Sequence, residues 1–357
     1  MEEASILCDY PQAKRNYGID LLRAILMLMV CVLHILWQGG VIKACADEDT
    51  KNNIYWLIET LMLCAVDGYA LISGYTASQK CCNYTKLVKM WGQVWFYSFI
   101  TTFVLWVLGL AEDISIDNLI RCALPITFNV FWYFTAYFVL YLVKPFIDRI
   151  LFSCDTTLAK KCLIVLFVLF SVVNIVTDTF HTNYGCSFLW LLVLYCIGVL
   201  SKIAGLFDKK NNAILLLIFF GCCFITWITY VLMHNMLLME YTSPFVLMSA
   251  ISIVILFSRL EIKGNYVIIK ITPCIFGVYL LQCSPIIWSR MADAFAFIAD
   301  LDLVTGVAYV FLIALGMFSC GILVEMLRQW VVHSLGEEKI SKKIVSVISV
   351  VLDKAVR

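Results

Sequence analysis

Long apolar runs broken by short polar stretches set the pattern of this chain. Runs of spanning length cover about 19–38, 54–77, 91–110, 123–143, 162–178, 185–201, 212–232, 241–258, 271–288 and 303–327. A helix needs about 20 apolar residues to cross a bilayer core. The pattern therefore predicts an all-α polytopic membrane protein with ten transmembrane helices. The intervening stretches test that count. Arg23 lies inside the first run, and Lys43, Lys51, Arg121 and Arg290 fall in the alternate stretches read as outer. All other lysines and arginines fall in the stretches read as inner. Cytoplasmic loops carry such an excess, so both termini are expected in the cytoplasm. The outer stretches hold acids such as Asp47, Glu48, Asp117 and Asp302, read as solvated loop tips.

The ends of the chain add two expectations. The start, Met1-Glu2-Glu3-Ala4, has no basic n-region followed by a small-residue cleavage site. The first run is read as a retained span and not as a signal peptide. After Gly336, the residues Ile340, Ile344, Ile348, Leu352 and Ala355 recur near helical spacing. They predict an amphipathic helix on the inner membrane surface; a disordered tail is the alternative. The expected domains are a membrane domain over 1–335 and a cytoplasmic tail over 336–357.

Composition agrees. Of 357 residues 62% are hydrophobic and 14% charged, and mean hydropathy is +0.92. A net charge of +1 offers no electrostatic footprint for nucleic acid. The 16 cysteines form no Cys-x-x-Cys pair and lie mostly in or beside apolar runs. They read as small packing residues, with no metal site and no thioredoxin-like chemistry.

The informative residues are the polar ones inside the apolar runs. Arg23 and His34 share the first run with only apolar residues between them. Eleven helical positions turn through about 1100°, three turns plus about 20°, so both side chains leave one face. They are about 16 Å apart along the axis. Ionisable groups within a span face the bundle interior or a water-filled cavity. That implies a polar passage, cationic towards one end and titratable towards the other. Depth matching places Glu59 of the second run near His34, as a carboxylate that would orient its imidazole. It places Asp67 deeper, as the candidate counter-ion of Arg23. The bland readings are an interhelical hydrogen bond for His34 and a snorkelling Arg23. His181 and His234 read as interface residues and His333 as cytoplasmic. Most tryptophans fall near run ends, as an aromatic belt would place them; Phe131-Trp132-Tyr133-Phe134-Thr135-Ala136-Tyr137 lies within a run and fits a belt less well.

These residues resemble a known pattern. Arg15-Asn16-Tyr17-Gly18-Ile19-Asp20-Leu21-Leu22-Arg23, followed by His34, is similar to the opening helix of the membrane-bound acyltransferase-3 family. Leu71-Ile72-Ser73-Gly74-Tyr75 resembles its second-helix signature, and Trp132, Tyr133, Tyr137 and Lys144-Pro145 its fourth-helix region. Gly277-Val278-Tyr279-Leu280-Leu281 resembles its late helix. Two departures stand out: Lys86 and Lys89 where the family often has arginines, and Gln282 where it often has histidine.

The resemblance implies an integral O-acyltransferase of the bacterial cytoplasmic membrane. It implies acyl-CoA, with acetyl-CoA the expected donor substrate, and no permanently bound cofactor. The implied acceptor is a hydroxyl of a surface polysaccharide or its lipid-linked precursor. His34 would be the general base and Arg23 a donor-binding or scaffold cation, with Lys86 and Lys89 attracting the donor phosphates. A transporter or flippase for a glycan intermediate or acyl group suits the same spans and passage, but it needs neither a base nor acyl-CoA. A catalytically dead membrane scaffold is a third reading. Oligomeric state is not legible.

Overall fold

The computed structural model describes residues 15–78, 83–109 and 115–356. Among the described residues the chain forms a helical bundle without strands. Each expected apolar run meets a helix. These are α1 (Tyr17–Leu36), α2 (Asp49–Tyr75), α3, α4 (Trp132–Leu151), α5 (Thr156–Ile175), α6 (Phe188–Ile203), α7 (Asn212–Met233), α8 (Pro244–Ser258), α9 (Tyr266–Gln282) and α10 (Leu303–Ser334). The α3 rod comprises Tyr84–Trp95, the π-helical turn Phe96–Ile100 and Thr101–Val107.

Length and composition qualify fewer of these as crossings. Helices α1, α2, α5, α7 and α10 are long and apolar enough to span a membrane. A sixth qualifies if α9 and the Pro285–Asp300 segment, bent by 65° from it, count as one broken span. Helices α6 and α8 are apolar but shorter. The chain is a multi-pass membrane protein; ten crossings go beyond what helix length establishes.

The bundle has a centre and a rim. Helix α1 packs against α2, α8, α9 and α10, and most of its residues are buried. The rim helices α5, α7 and α10 leave apolar side chains such as Ile164, Leu217 and Leu312 exposed, a surface suited to lipid. Local chemistry fixes where helices start. Asn16, Asp155, Ser187, Asn211 and Asp302 each accept a backbone N–H of the first turn, satisfying donors the helix leaves free. Pro244 opens α8, where its missing N–H costs nothing.

The tightest crossing joins α2 to α6. A Cβ on Gly74 would run into the carbonyl of Tyr195, and one on Gly198 into the carbonyl of Leu71. Small residues at this crossing let the two backbones touch, the usual means of packing helices in lipid. A helix over Glu337–Val356, α11, packs against α3. Its Ile340, Ile344 and Val347 stay exposed.

Candidate active site

Two separate cavities open beside α1. One, about 270 Å³ and termed inner after the expected orientation, contains Arg23 from the first part of α1. The outer one, about 310 Å³, contains His34 from its last turn. The two side chains share a helix face but serve different chambers.

The inner cavity is cationic. Arg23, Lys86 and Lys144 line it, with Ser73, Asn83 and Tyr137. Asp20 holds Arg23: its Oδ1 accepts from Arg23 Nη1 at 2.7 Å, and its other oxygen accepts from Arg15 Nε. Lys144 Nζ lies 3.0 Å from Asp148 Oδ2, and the other oxygen of Asp148 accepts the Tyr195 hydroxyl. The electrostatic neighbours of Lys86 are Arg23 and Lys144. Two of the three cations thus have a buried carboxylate partner, and Asp20 also neutralises Arg15. The local excess is positive and suits a polyanion.

The outer cavity is aromatic and acidic. Trp37, Trp56, Trp132, Trp288 and Tyr241 wall it, with His34, Glu59 and Glu240. His34 Nδ1 is 3.1 Å from Gln282 Oε1, and the Trp288 ring meets the imidazole edge-on with centroids 4.8 Å apart. Gln282 Nε2 donates to Met27 Sδ at 3.5 Å. A thioether can only accept, so the amide nitrogen faces Met27 and the amide oxygen faces His34. Nδ1 therefore carries the proton in the neutral ring, and Nε2 keeps its lone pair. That tautomer is what a general base needs.

Tyr69, Asp67 and Tyr133 are linked to residues of both chambers: the Tyr69 hydroxyl donates to the Arg23 carbonyl, and Asp67 is an electrostatic neighbour of Tyr241. Asp67 is fully buried; its Oδ1 accepts from Trp190 Nε1 at 3.0 Å and its Oδ2 has no partner. The Tyr133 hydroxyl is likewise buried without a partner, with Tyr137, Tyr69 and Asp67 as electrostatic neighbours. Helix α4 reaches both chambers: Trp132 lines the outer one and Tyr137 the inner one. Tyr279 packs against Tyr133, with ring centroids 6.3 Å apart.

Several sequence expectations move. Asp20, three residues before Arg23, is its counter-ion, while Asp67 belongs to Trp190. Depth matching across helices could not see a partner on the same helix. Glu59 does share a cavity with His34, but the ring partner of His34 is Gln282, and Glu59 interacts with Trp37 instead. One Glu59 oxygen, Oε2, is buried and unpartnered. Lys86 lines the inner cavity; Lys89 does not, and instead acts electrostatically on Glu338 of α11. Of the second-helix signature, Ser73 lines the inner cavity, Gly74 is the crossing point, and Tyr75 accepts from Ser258 Oγ at 3.2 Å. Asp148, Trp288 and Glu240 are site residues that the sequence pattern does not mark, and Lys144 enters it only as part of the fourth-helix motif. The i,i+4 spacing of Lys144 and Asp148 was the visible signal for that pair.

A further buried cluster sits apart from both cavities. Arg328 grips Glu325 through Nε at 2.9 Å and Nη2 at 2.8 Å, and Glu325 also accepts from the Tyr97 hydroxyl and Gln329 Nε2. It ties the π-helical turn of α3 to α10. Among the described residues no group of three or more His, Cys, Asp or Glu could hold a metal ion.

Comparison with known proteins gives one family match, and no curated protein and no solved structure matches the chain. The matching family model is described as "Acyltransferase domain" and covers residues 16–326, from the cap of α1 to near the end of α10. It therefore takes in both cavities and the helix between them, and the chain belongs to the acyltransferase-3 family and is a membrane acyltransferase.

Proposed function

We propose that this protein moves an acyl group, most simply acetyl, from acyl-CoA to a hydroxyl of a surface polysaccharide or its lipid-linked precursor. In this reading it sits in a bacterial plasma membrane with ten crossings and both ends in the cytoplasm. One observation carries the reading: a cationic chamber and a histidine-bearing aromatic chamber lie on one helix. Donor phosphates go to Arg23, Lys86 and Lys144, and the thioester reaches in towards Tyr133. The acceptor hydroxyl enters the outer chamber.

The chemistry then follows from the tautomer. Nε2 of His34 takes the hydroxyl proton as the oxygen attacks the thioester carbonyl. Nδ1–H stays on Gln282 Oε1, so the new positive charge on the ring is partly shared with the amide oxygen. The carbonyl oxygen becomes an oxyanion that needs a donor, and we assign the unpartnered Tyr133 hydroxyl to that task. Collapse of the intermediate forms the ester, breaks the C–S bond and releases CoA as its thiol with the proton from His34. Glu59 has no place on the ring in this scheme and is an acceptor for another acceptor hydroxyl.

The test is His34→Gln alongside His34→Ala, assayed for acyl transfer to glycan and for acyl-CoA binding. A general base contributes about 10²–10⁴-fold. Both variants should lose transfer on that scale and still bind donor. Transfer near the normal rate by His34→Gln would leave the imidazole a structural group. If the protein moved glycan without consuming acyl-CoA, the transporter reading would replace this one.

A further inference from the structure

The charge of the outer cavity restricts what can enter it. Besides His34, the ionisable side chains that line it include Glu59 and Glu240, and among the described residues no lysine or arginine does. Of the outer cations, Lys43 pairs with Asp293, Lys51 with Glu48 and Arg121 with Asp117, each at 3.0 Å, and neither these three nor Arg290 line the cavity. More carboxyl groups stand behind the wall. Asp178 acts on Glu240, while Asp67, Glu59 and Glu240 all act on Tyr241. Burial and then the Asp178 charge push the Glu240 carboxyl up from its ordinary value. The buried, unpartnered Oε2 of Glu59 lacks a donor that a ligand could supply.

The same cavity offers indole faces. Trp37, Trp56, Trp132 and Trp288 provide flat apolar area with edges that can take polar contacts. A pyranose has the matching shape, an apolar C–H face and a rim of hydroxyl donors. Carboxylates accept such hydroxyls in charge-assisted bonds. A ligand carboxylate or phosphate would instead enter a partly desolvated site that offers it no lysine or arginine, so its charge would go uncompensated.

We infer that the outer cavity takes a neutral pyranose, stacked on the indoles with hydroxyls on Glu59 and Glu240, and rejects sugars with an acid group beside the accepting hydroxyl. The inference deepens the acyl-acceptor reading above and rests on it. Anionic chemistry is confined to the inner chamber, where Arg23, Lys86 and Lys144 lie. Charge thus sorts the two substrates, donor inward and acceptor outward.

The test compares methyl glucopyranoside with methyl glucuronopyranoside, which differ by one carboxylate on the same ring. Full-length protein in a non-glycosidic detergent is titrated by tryptophan fluorescence, and acyl transfer from labelled acetyl-CoA is followed in parallel. The neutral glycoside should bind at least about tenfold more tightly, a modest share of what an uncompensated charge costs on partial desolvation. Glu240→Gln should narrow that ratio and Glu240→Lys should narrow it further or invert it. Equal or better binding of the uronoside, no binding of either sugar, or a ratio unmoved in Glu240→Lys would each overturn the inference. The two readings fail separately. His34-dependent acetylation of the uronoside at the rate of the neutral sugar keeps the acyltransferase reading and sinks this one. Charge-ordered binding with no acetyl transfer does the opposite.

Discussion

Replacing Gln282 with leucine tests the tautomer argument directly. Gln282 is buried, and its Oε1 is the hydrogen-bond partner of His34 Nδ1 at 3.1 Å. Leucine keeps the volume and removes the acceptor. A neutral intramolecular hydrogen bond contributes about 0.5–1.5 kcal/mol, and a buried donor left unpaired costs about 1–3 kcal/mol. With Nδ1–H stranded, the ring gains by moving its proton to Nε2 or turning away, and both outcomes remove the lone pair from the outer chamber. A change of about 1.4–2.8 kcal/mol is about ten- to hundredfold in rate. We expect kcat for glycan acylation to fall by that factor with KM for acyl-CoA unchanged. The His34→Ala, Gln282→Leu double variant should be no slower than His34→Ala alone, because the glutamine acts only through the imidazole. Steady-state kinetics on matched amounts of folded protein would decide. A Gln282→Leu enzyme at the normal rate, or a further drop in the double variant, would refute the reasoning.

Three other outcomes are expected. Lys86→Gln with Lys144→Gln should weaken donor binding by about tenfold or more at low salt and less at high salt, whereas Lys89→Gln, whose charge acts on Glu338, should leave it within about twofold; isothermal titration across a salt series reads both. Arg328→Leu leaves Glu325 buried and uncompensated, so it should destabilise the fold by about 3–5 kcal/mol, seen as a large fall in melting temperature, while Glu325→Leu with Arg328→Leu should recover part of the loss. Single cysteines placed near Asp117 and Lys209 should label from opposite sides of the membrane if ten helices cross; labelling from the same side would remove that count and the assignment of inner and outer with it.

Much of the helix pattern was readable, because the apolar runs need only their length and the spacing of polar breaks. The Arg23–His34 relation was readable too, since two residues on one helix are related by the helix repeat alone. Residues on different helices were harder. Asp67 was matched to Arg23 by depth, but depth leaves open which faces meet, and Trp190 on α6 takes that carboxylate. Gln282 stood out as a departure from a family pattern, yet its contact with His34 depends on how α9 lies beside α1. The acidic outer wall was invisible for the same reason: Glu240 comes from the loop before α8 and meets Glu59 only in the folded bundle. The Glu325–Arg328 pair sits at ordinary i,i+3 spacing and reads as a surface pair until α3 covers it.

The division of the site into two chambers along α1 has an electrical consequence. Two watery chambers reaching in from opposite faces would each carry the potential of their own side, so the membrane voltage would fall mainly across the thin layer between them. Moving one elementary charge across a full 100 mV is worth about 2.3 kcal/mol. The acyl group leaves its thioester as the equivalent of an acyl cation, one positive charge moving outward, with the C–S electron pair left on the CoA sulfur. The proton from the acceptor hydroxyl ends on that sulfur, one positive charge moving inward across the same layer. The two movements cancel, so each turnover is electrically neutral and the extent of the reaction is independent of how far a cell's membrane is energised.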